Sequence, residues 1–348
     1  MLRRSFKSRG VGLVGLLVGG AMLLGACGGD DDGESEADAT VTATESTVES
    51  SAEQVPRTNL NKAGVAERVR VAGDWLAAGE GAIWISDGRE IRRLDPKTGE
   101  ETGTVAVPDG ACEASDVDFG FVWTATCTDP GLAKIDPDSL QVADRVSLRI
   151  PKSLDGEGSI GTDAGAVWLV VDGDKCDACA VARVNPSSLK VEEEIPVEEG
   201  AAGVRAADGA VWVTNPLEDL VEKIDPNRSK VVHTEKVGPS PRFLAVGEGA
   251  VWILNQTDGS ITKIDPESGE TTATIQAEMN GAGGDIAAGG GSVWPRSTYT
   301  LLARVDPNTD QVVERYEPSS GSGAVIVGYG AVWISAHDVE TVWRLPLP

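Results

Sequence analysis

The 348 residues carry 30 Lys and Arg against 55 Asp and Glu, a net charge of −25, with only two His. So acidic a chain repels phosphate backbones and anionic lipid, and no nucleic-acid partner is expected. Histidine chemistry has little to draw on, whereas 41% apolar residues and nine Trp suffice for one large core.

The chain opens on a basic stretch (Arg3, Arg4, Lys7, Arg9) followed by an apolar run from Val11 to Leu24. That run is short for a membrane span and reads as an export signal over residues 1–26. It ends in Leu24-Gly25-Ala26-Cys27, which resembles the lipobox of bacterial lipoproteins. The resemblance implies cleavage before Cys27, a lipid on its thiol, and attachment to the membrane through that lipid.

Residues 27–60 follow, rich in Ser, Thr, Asp and Glu. Such a composition cannot bury enough apolar surface to offset its ordering entropy, so an acidic disordered tether is expected. The leader carries +4 and the tether −8, which leaves −21 on the body from residue 61 to 348.

The body repeats itself. Trp stands at 84, 123, 168, 212, 252, 294 and 333, each with Gly three residues before it and Val or Ile directly before it. A second signature follows each Trp: "RRLDP", "AKIDP", "ARVNP", "EKIDP", "TKIDP", "ARVDP" and a degraded "WRLPLP". One unit, "RFLAVGEGAVWILN" then "SITKIDP" then "ETTATIQ", reads as strand, tight glycine turn, strand, strand, Asp-Pro turn, strand. Four antiparallel strands every 40 residues or so make a propeller blade. The expected fold is therefore all-β, a seven-bladed β-propeller, with the Trp packed between blades. The last unit lacks a fourth strand, and "VAERVRVAG" (residues 65–73) resembles the fourth strands "QVADRVSL" and "QVVERYEP". It is expected to complete blade seven and close the ring.

The unit resembles the YVTN-type and virginiamycin B lyase-like (streptogramin lyase-like) seven-bladed propellers over residues 65–348, on "GAVW" and "[KR]-[IVL]-D-P". That family includes a lyase that opens a cyclic depsipeptide with a divalent metal, using His and Glu near the axis. No Glu follows within three residues of any of the seven Trp here, and His233 falls in an outer strand, so no catalytic residue carries over.

Candidate site residues are few. In a propeller the connections from fourth to first and from second to third strands share one face, the loop face. His337, Asp338 and Glu340 fall there in blade seven and could serve a metal or proton transfer, or form only a solvated loop. Arg205 interrupts the small residues of the inner strand of blade four, and Arg242 precedes that of blade five; Asp116 and Asp118 lie in that of blade two. Two inward arginines would either hold a carboxylate or phosphate guest or pair with the aspartates and plug the channel. The plug is the favoured expectation.

Cys112 and Cys127 flank the Phe119-Gly120 turn symmetrically, within disulfide reach across a regular hairpin. Cys176 and Cys179 form a C-x-x-C that reads as a redox motif, half a zinc site or a small disulfide loop, and the local disulfide is expected. Asp172, Asp174 and Asp177 read as surface acids; no cofactor is called for, and a Ca or Mg ion is the one cation these acids would suit.

These readings point to a monomeric, exported propeller held by lipid on the outer face of the cytoplasmic membrane. Loops that vary between blades favour a non-catalytic platform for a protein or small-molecule ligand. The alternative is a metal-assisted lyase or hydrolase, and a weaker third is an assembly factor using the C-x-x-C.

Overall fold

The computed structural model describes residues 55–154, 160–281, 283–318 and 321–348, without the side chains of 112–114 and 154. The expected leader, Cys27 and most of the tether lie outside the described residues. Seven four-stranded antiparallel sheets succeed one another along the chain. Blade one runs Trp75–Gly79, Ala82–Ser86, Glu90–Leu94 and Glu101–Ala106, and the other six repeat this order of inner, second, third and outer strand.

The repeated residues explain the blade. Each inner hairpin turns through two residues of positive φ, such as Asp208 (52°) and Gly209 (75°) or Glu248 (49°) and Gly249 (77°). A type I′ turn needs this at both central positions. A Cβ on Gly209 or Gly249 would meet nothing within 4 Å, so glycine is there for its backbone freedom and not for space. The second strands that follow are almost entirely buried, apolar around the Trp and, apart from Arg296 in blade six, uncharged, as in Ala210–Asn215.

All seven repeat Trp are at most 1% exposed. In six blades the indole Nε1 donates to the carbonyl five residues earlier, at the end of the inner strand, as from Trp123 to Asp118 at 3.0 Å. In blades one to five and seven the basic residue of the second signature lies over its blade's Trp ring, for example Lys263 Nζ at 5.0 Å from the Trp252 centroid. Its charged end then leaves the blade. Lys134, Arg183, Lys223 and Lys263 donate to the carbonyls of Pro186, Pro226, Pro266 and Pro307 in the next blade, at 2.7–2.9 Å. Arg344 of blade seven does the same to Pro96 of blade one at 3.1 Å, so the series runs across the closure. The Asp or Asn before each of these prolines accepts from backbone N–H groups two or three residues on, as Asp265 does from Glu267 and Ser268.

Closure follows the expected route. Residues Glu67–Arg70 pair antiparallel with Thr341–Pro346 as the outer strand of blade seven. The fold also starts earlier than residue 61. Arg57–Asn59, expected at the end of the tether, runs parallel to the outer strand of blade six as a fifth strand. The reason is Leu60, which is 1% exposed and packs with Trp294, Tyr316 and Trp343, while Asn61 accepts from Trp343 Nε1 at 3.0 Å.

Candidate functional site

The inner strands decide what reaches the axis. In register, the residue opposite each repeat Trp is Ala77, Asp116, Gly161, Arg205, Ala245, Ala287 or Ile326. Two charges therefore stand at one level of an otherwise small or apolar ring, in blades two and four. Between them Gly161 lets blade four approach: a Cβ there would sit 2.7 Å from Ala206 N.

Above this level, toward the loop face, the axis is closed. Trp75 of blade one and Phe243 of blade five meet with ring centroids 5.8 Å apart, both buried. Below it, the inner strands grow more exposed toward their hairpin turns, in the sequence buried to half-buried over Trp75–Gly79, Val204–Ala207 and Gly284–Gly289. The result is a blind funnel of about 320 Å³ that opens on the hairpin face, opposite the loop face. Leu76, Ile286 and Val325 line it with a set of Ala and Val; Ser115, Asp116 and Arg205 are its polar side chains.

Asp116 lines the funnel yet lies deep in the ring. Its Oδ2 accepts from Thr162 N and Oγ1 of blade three at 2.9 and 2.8 Å, and its Oδ1 from Val117 N at 2.9 Å. Burial pushes the carboxyl up from the ordinary aspartate range, while the Arg205 charge and these donors pull it back. Arg205 Nη1 donates to the carbonyls of Ile160 and Val204 at 2.9 and 3.2 Å. The two side chains thus tie blades two, three and four together through backbone groups, and the plug of the axis is aromatic instead of ionic. That corrects the expected arginine–aspartate plug.

The second arginine does not join them. The inner strand of blade five begins at Pro241 with an irregularity between Pro241 and Phe243, so Arg242 lies within the strand at a bulge. There it lines a separate hollow of about 240 Å³ with Ser153, Asp177, Glu199 and Leu217. His337 and Asp338 lie on a short 3-10 turn of blade seven, both exposed, with Nδ1 3.4 Å from Oδ1. They border a shallow surface hollow with Ala72, Val339 and Glu340. Among the described residues no group of three or more His, Cys, Asp and Glu is placed to hold a metal ion.

Cys176 and Cys179 are joined as a disulfide, as expected. The loop they close docks on blade four through Ala201 N to Ala178 O at 3.0 Å. Asp172 accepts from Ala178 N at 3.0 Å, and its carboxyl is raised by burial and by the neighbouring Asp177. Cys127 is disulfide-bonded and its N–H donates to Gly110 O at 3.3 Å, but the side chain of Cys112 lies outside the description. The hairpin between them is irregular, with Ala111 opposite Thr126 instead of a plain continuation of the Ser115–Thr124 pairing.

Two buried charges had no motif to reveal them. Asp285, opposite Arg296, accepts from Ile286 N and from Val325 N of blade seven at 2.9 and 3.0 Å, and burial raises its carboxyl. Arg296 is fully buried, donates to Ser335 and Gly321 carbonyls at 3.0 and 3.2 Å, and is lowered by burial to about 10. The one sequence signal was "VWPRS", a charge inside a second strand where the other blades have none.

On the loop face the second-to-third-strand connections carry the exposed apolar residues Leu217 (67%), Tyr299 (68%) and Val339 (49%), from blades four, six and seven.

No family model matches this chain, and no curated protein sequence does. Solved structures do. BamB from Moraxella catarrhalis aligns with a TM-score of 0.56 at 12% identity, over 78% of this chain and 81% of its own. Kuenenia stuttgartiensis hydrazine synthase gives 0.65 at 14% identity, over 82% and 98%. The Pan2 WD40 domain of Neurospora crassa gives 0.61 at 9%, over 80% and 90%. At these identities the likeness is one of fold: this chain is a seven-bladed β-propeller.

Proposed function

We propose that this protein is a non-catalytic interaction platform that docks a protein partner on its loop face. One observation carries the reading: Leu217, Tyr299 and Val339 stand exposed on three second-to-third-strand connections of that face. Large apolar side chains at the tips of otherwise polar loops lose water contact only when something covers them. The rigid ring beneath holds them at fixed spacing, which favours recognition without reorganisation.

The sequence adds where this happens. A leader ending in Leu24-Gly25-Ala26-Cys27 supports export and lipid attachment at Cys27, on the outer face of the cytoplasmic membrane. The acidic stretch after it supports a spacer between membrane and ring. In this reading the repeat belongs with the YVTN-type and streptogramin lyase-like propellers, and the protein acts as a monomer. The test is affinity co-purification from the native envelope with Leu217→Ser, Tyr299→Ser and Val339→Ser combined. Loss of one protein from the variant eluate, with thermal stability unchanged, is the expected result. An unchanged set of co-purified proteins overturns the reading.

A further inference from the structure

The funnel on the opposite face has a chemistry of its own, independent of loop-face docking. Asp116 has both oxygens taken by backbone and hydroxyl donors. Arg205 has only Nη1 engaged, on two carbonyls; its Nε and Nη2 have no partner among the described residues. Ser115 Oγ, beside them, is buried without a hydrogen-bond partner. What the wall leaves for a guest is therefore a guanidinium edge of two N–H donors and one hydroxyl. A carboxylate is the group that a guanidinium edge pairs with in two parallel bonds.

A bare carboxylate is nevertheless a poor guest. Asp116 and Asp285 both lie within the field of Arg205, so the inner site offers a guest no large positive excess. The inner hairpins around the mouth add Glu80, Asp118, Asp163, Asp208 and Glu248, in blades one to five, and no base. A guest that brings its own cation meets this field favourably at the mouth and answers Arg205 within. The remaining wall is Ala, Val, Leu and Ile, and about 320 Å³ is the lower end of what small-ligand sites occupy.

We propose that the funnel binds a compact zwitterion of the amino-acid type. Its carboxylate lies on Arg205 and Ser115, its ammonium faces the acidic mouth, and its side chain lies among the Ala and Val of the inner strands.

Calorimetric titration of the full chain at low salt tests this with glycine, L-alanine, L-valine, L-leucine and L-lysine, against acetate and ethylammonium as half-ligands. At least one amino acid is expected to bind saturably, at least tenfold tighter than either half-ligand. Arg205→Lys keeps the charge but loses the two-donor edge, and should weaken binding tenfold or more. Ala207→Leu fills the mouth without touching a polar group and should abolish it; where one variant fails to fold by circular dichroism, the other decides. Three results overturn the proposal: no saturable binding of any of the five, binding matched by acetate or ethylammonium alone, or undiminished binding in folded variants.

Discussion

Lys223 Nζ lies 5.4 Å from the Trp212 centroid in blade four and donates to the Pro266 carbonyl of blade five at 2.7 Å. One side chain thus covers the Trp of its own blade and holds the turn of the next. This relation, found in blades two, three, four, five and seven, ties successive sheets into a ring. Lys223→Met keeps the stem and removes the charge. It should cost about 1–3 kcal/mol, from the lost cation–π contact and a charge-assisted bond. Chemical denaturation, with its slope unchanged, reads this directly.

Closure should dominate stability. Deleting residues 67–70 removes the outer strand of blade seven and leaves Thr341–Pro346 unpaired on one side. A melting temperature lower by more than ~10 °C is expected, whereas removing residues 28–54 should shift it by less than ~2 °C. Differential scanning calorimetry on both deletions makes the comparison.

The aromatic plug is testable in the same way. Phe243→Ala leaves a cavity against Trp75 at the centre of the largest apolar cluster. A loss of about 3–5 kcal/mol is expected, the range for large-to-small changes in a packed core. A loss below ~1 kcal/mol would mean that the axis is open at that level.

Two sets of aspartates respond oppositely to pH. Backbone N–H donors hold Asp95, Asp136, Asp265 and Asp306 below the ordinary carboxylate range, so their contribution is complete above the unfolded value near ~3.9 and is lost as pH falls through the lowered values. Burial raises Asp116 and Asp285, so in the folded state they favour the proton, and their charged forms weigh against folding as pH rises through the raised values. Blade three already uses Asn185 in the turn, accepting from Ser187 and Ser188. Asp265→Asn should therefore fold, with a stability deficit against the parent that is full above the unfolded value near ~3.9 and shrinks as pH falls through the lowered value, read by denaturation at a series of pH values. A deficit that does not change with pH would show that the turn aspartate carries no linkage.

The cysteines give a covalent test. Non-reducing peptide mapping should show Cys176 joined to Cys179 and Cys112 joined to Cys127. The second bridge closes a loop of about 16 residues, so Cys112→Ser with Cys127→Ser should cost about 3 kcal/mol.

The fold was legible because its signals are local and repeated: a Gly for each I′ turn, a Trp after it, a base and a Pro to link blades. Even closure could be read, since residues 65–73 share the pattern of the outer strands. The axis was legible only in part. Arg205 broke a run of small residues and proved to line the funnel. Arg242 looked equivalent, but a bulge one residue from Pro241 sends it to another hollow. Trp75 and Phe243 meet across the ring from blades one and five, and no short-range pattern records such a pairing. The fifth strand at Arg57–Asn59 was hidden for another reason: its composition is that of a tether, and only the pocket waiting for Leu60 fixes it.

The most direct test of the platform is photo-cross-linking on intact cells, with a photoreactive residue placed in turn at Leu217, Tyr299 and, on the hairpin face as a control, Glu248. One and the same protein captured from Leu217 and Tyr299, and absent from Glu248, is the predicted result. Capture of no protein from the loop face, or equal capture from both faces, would contradict it.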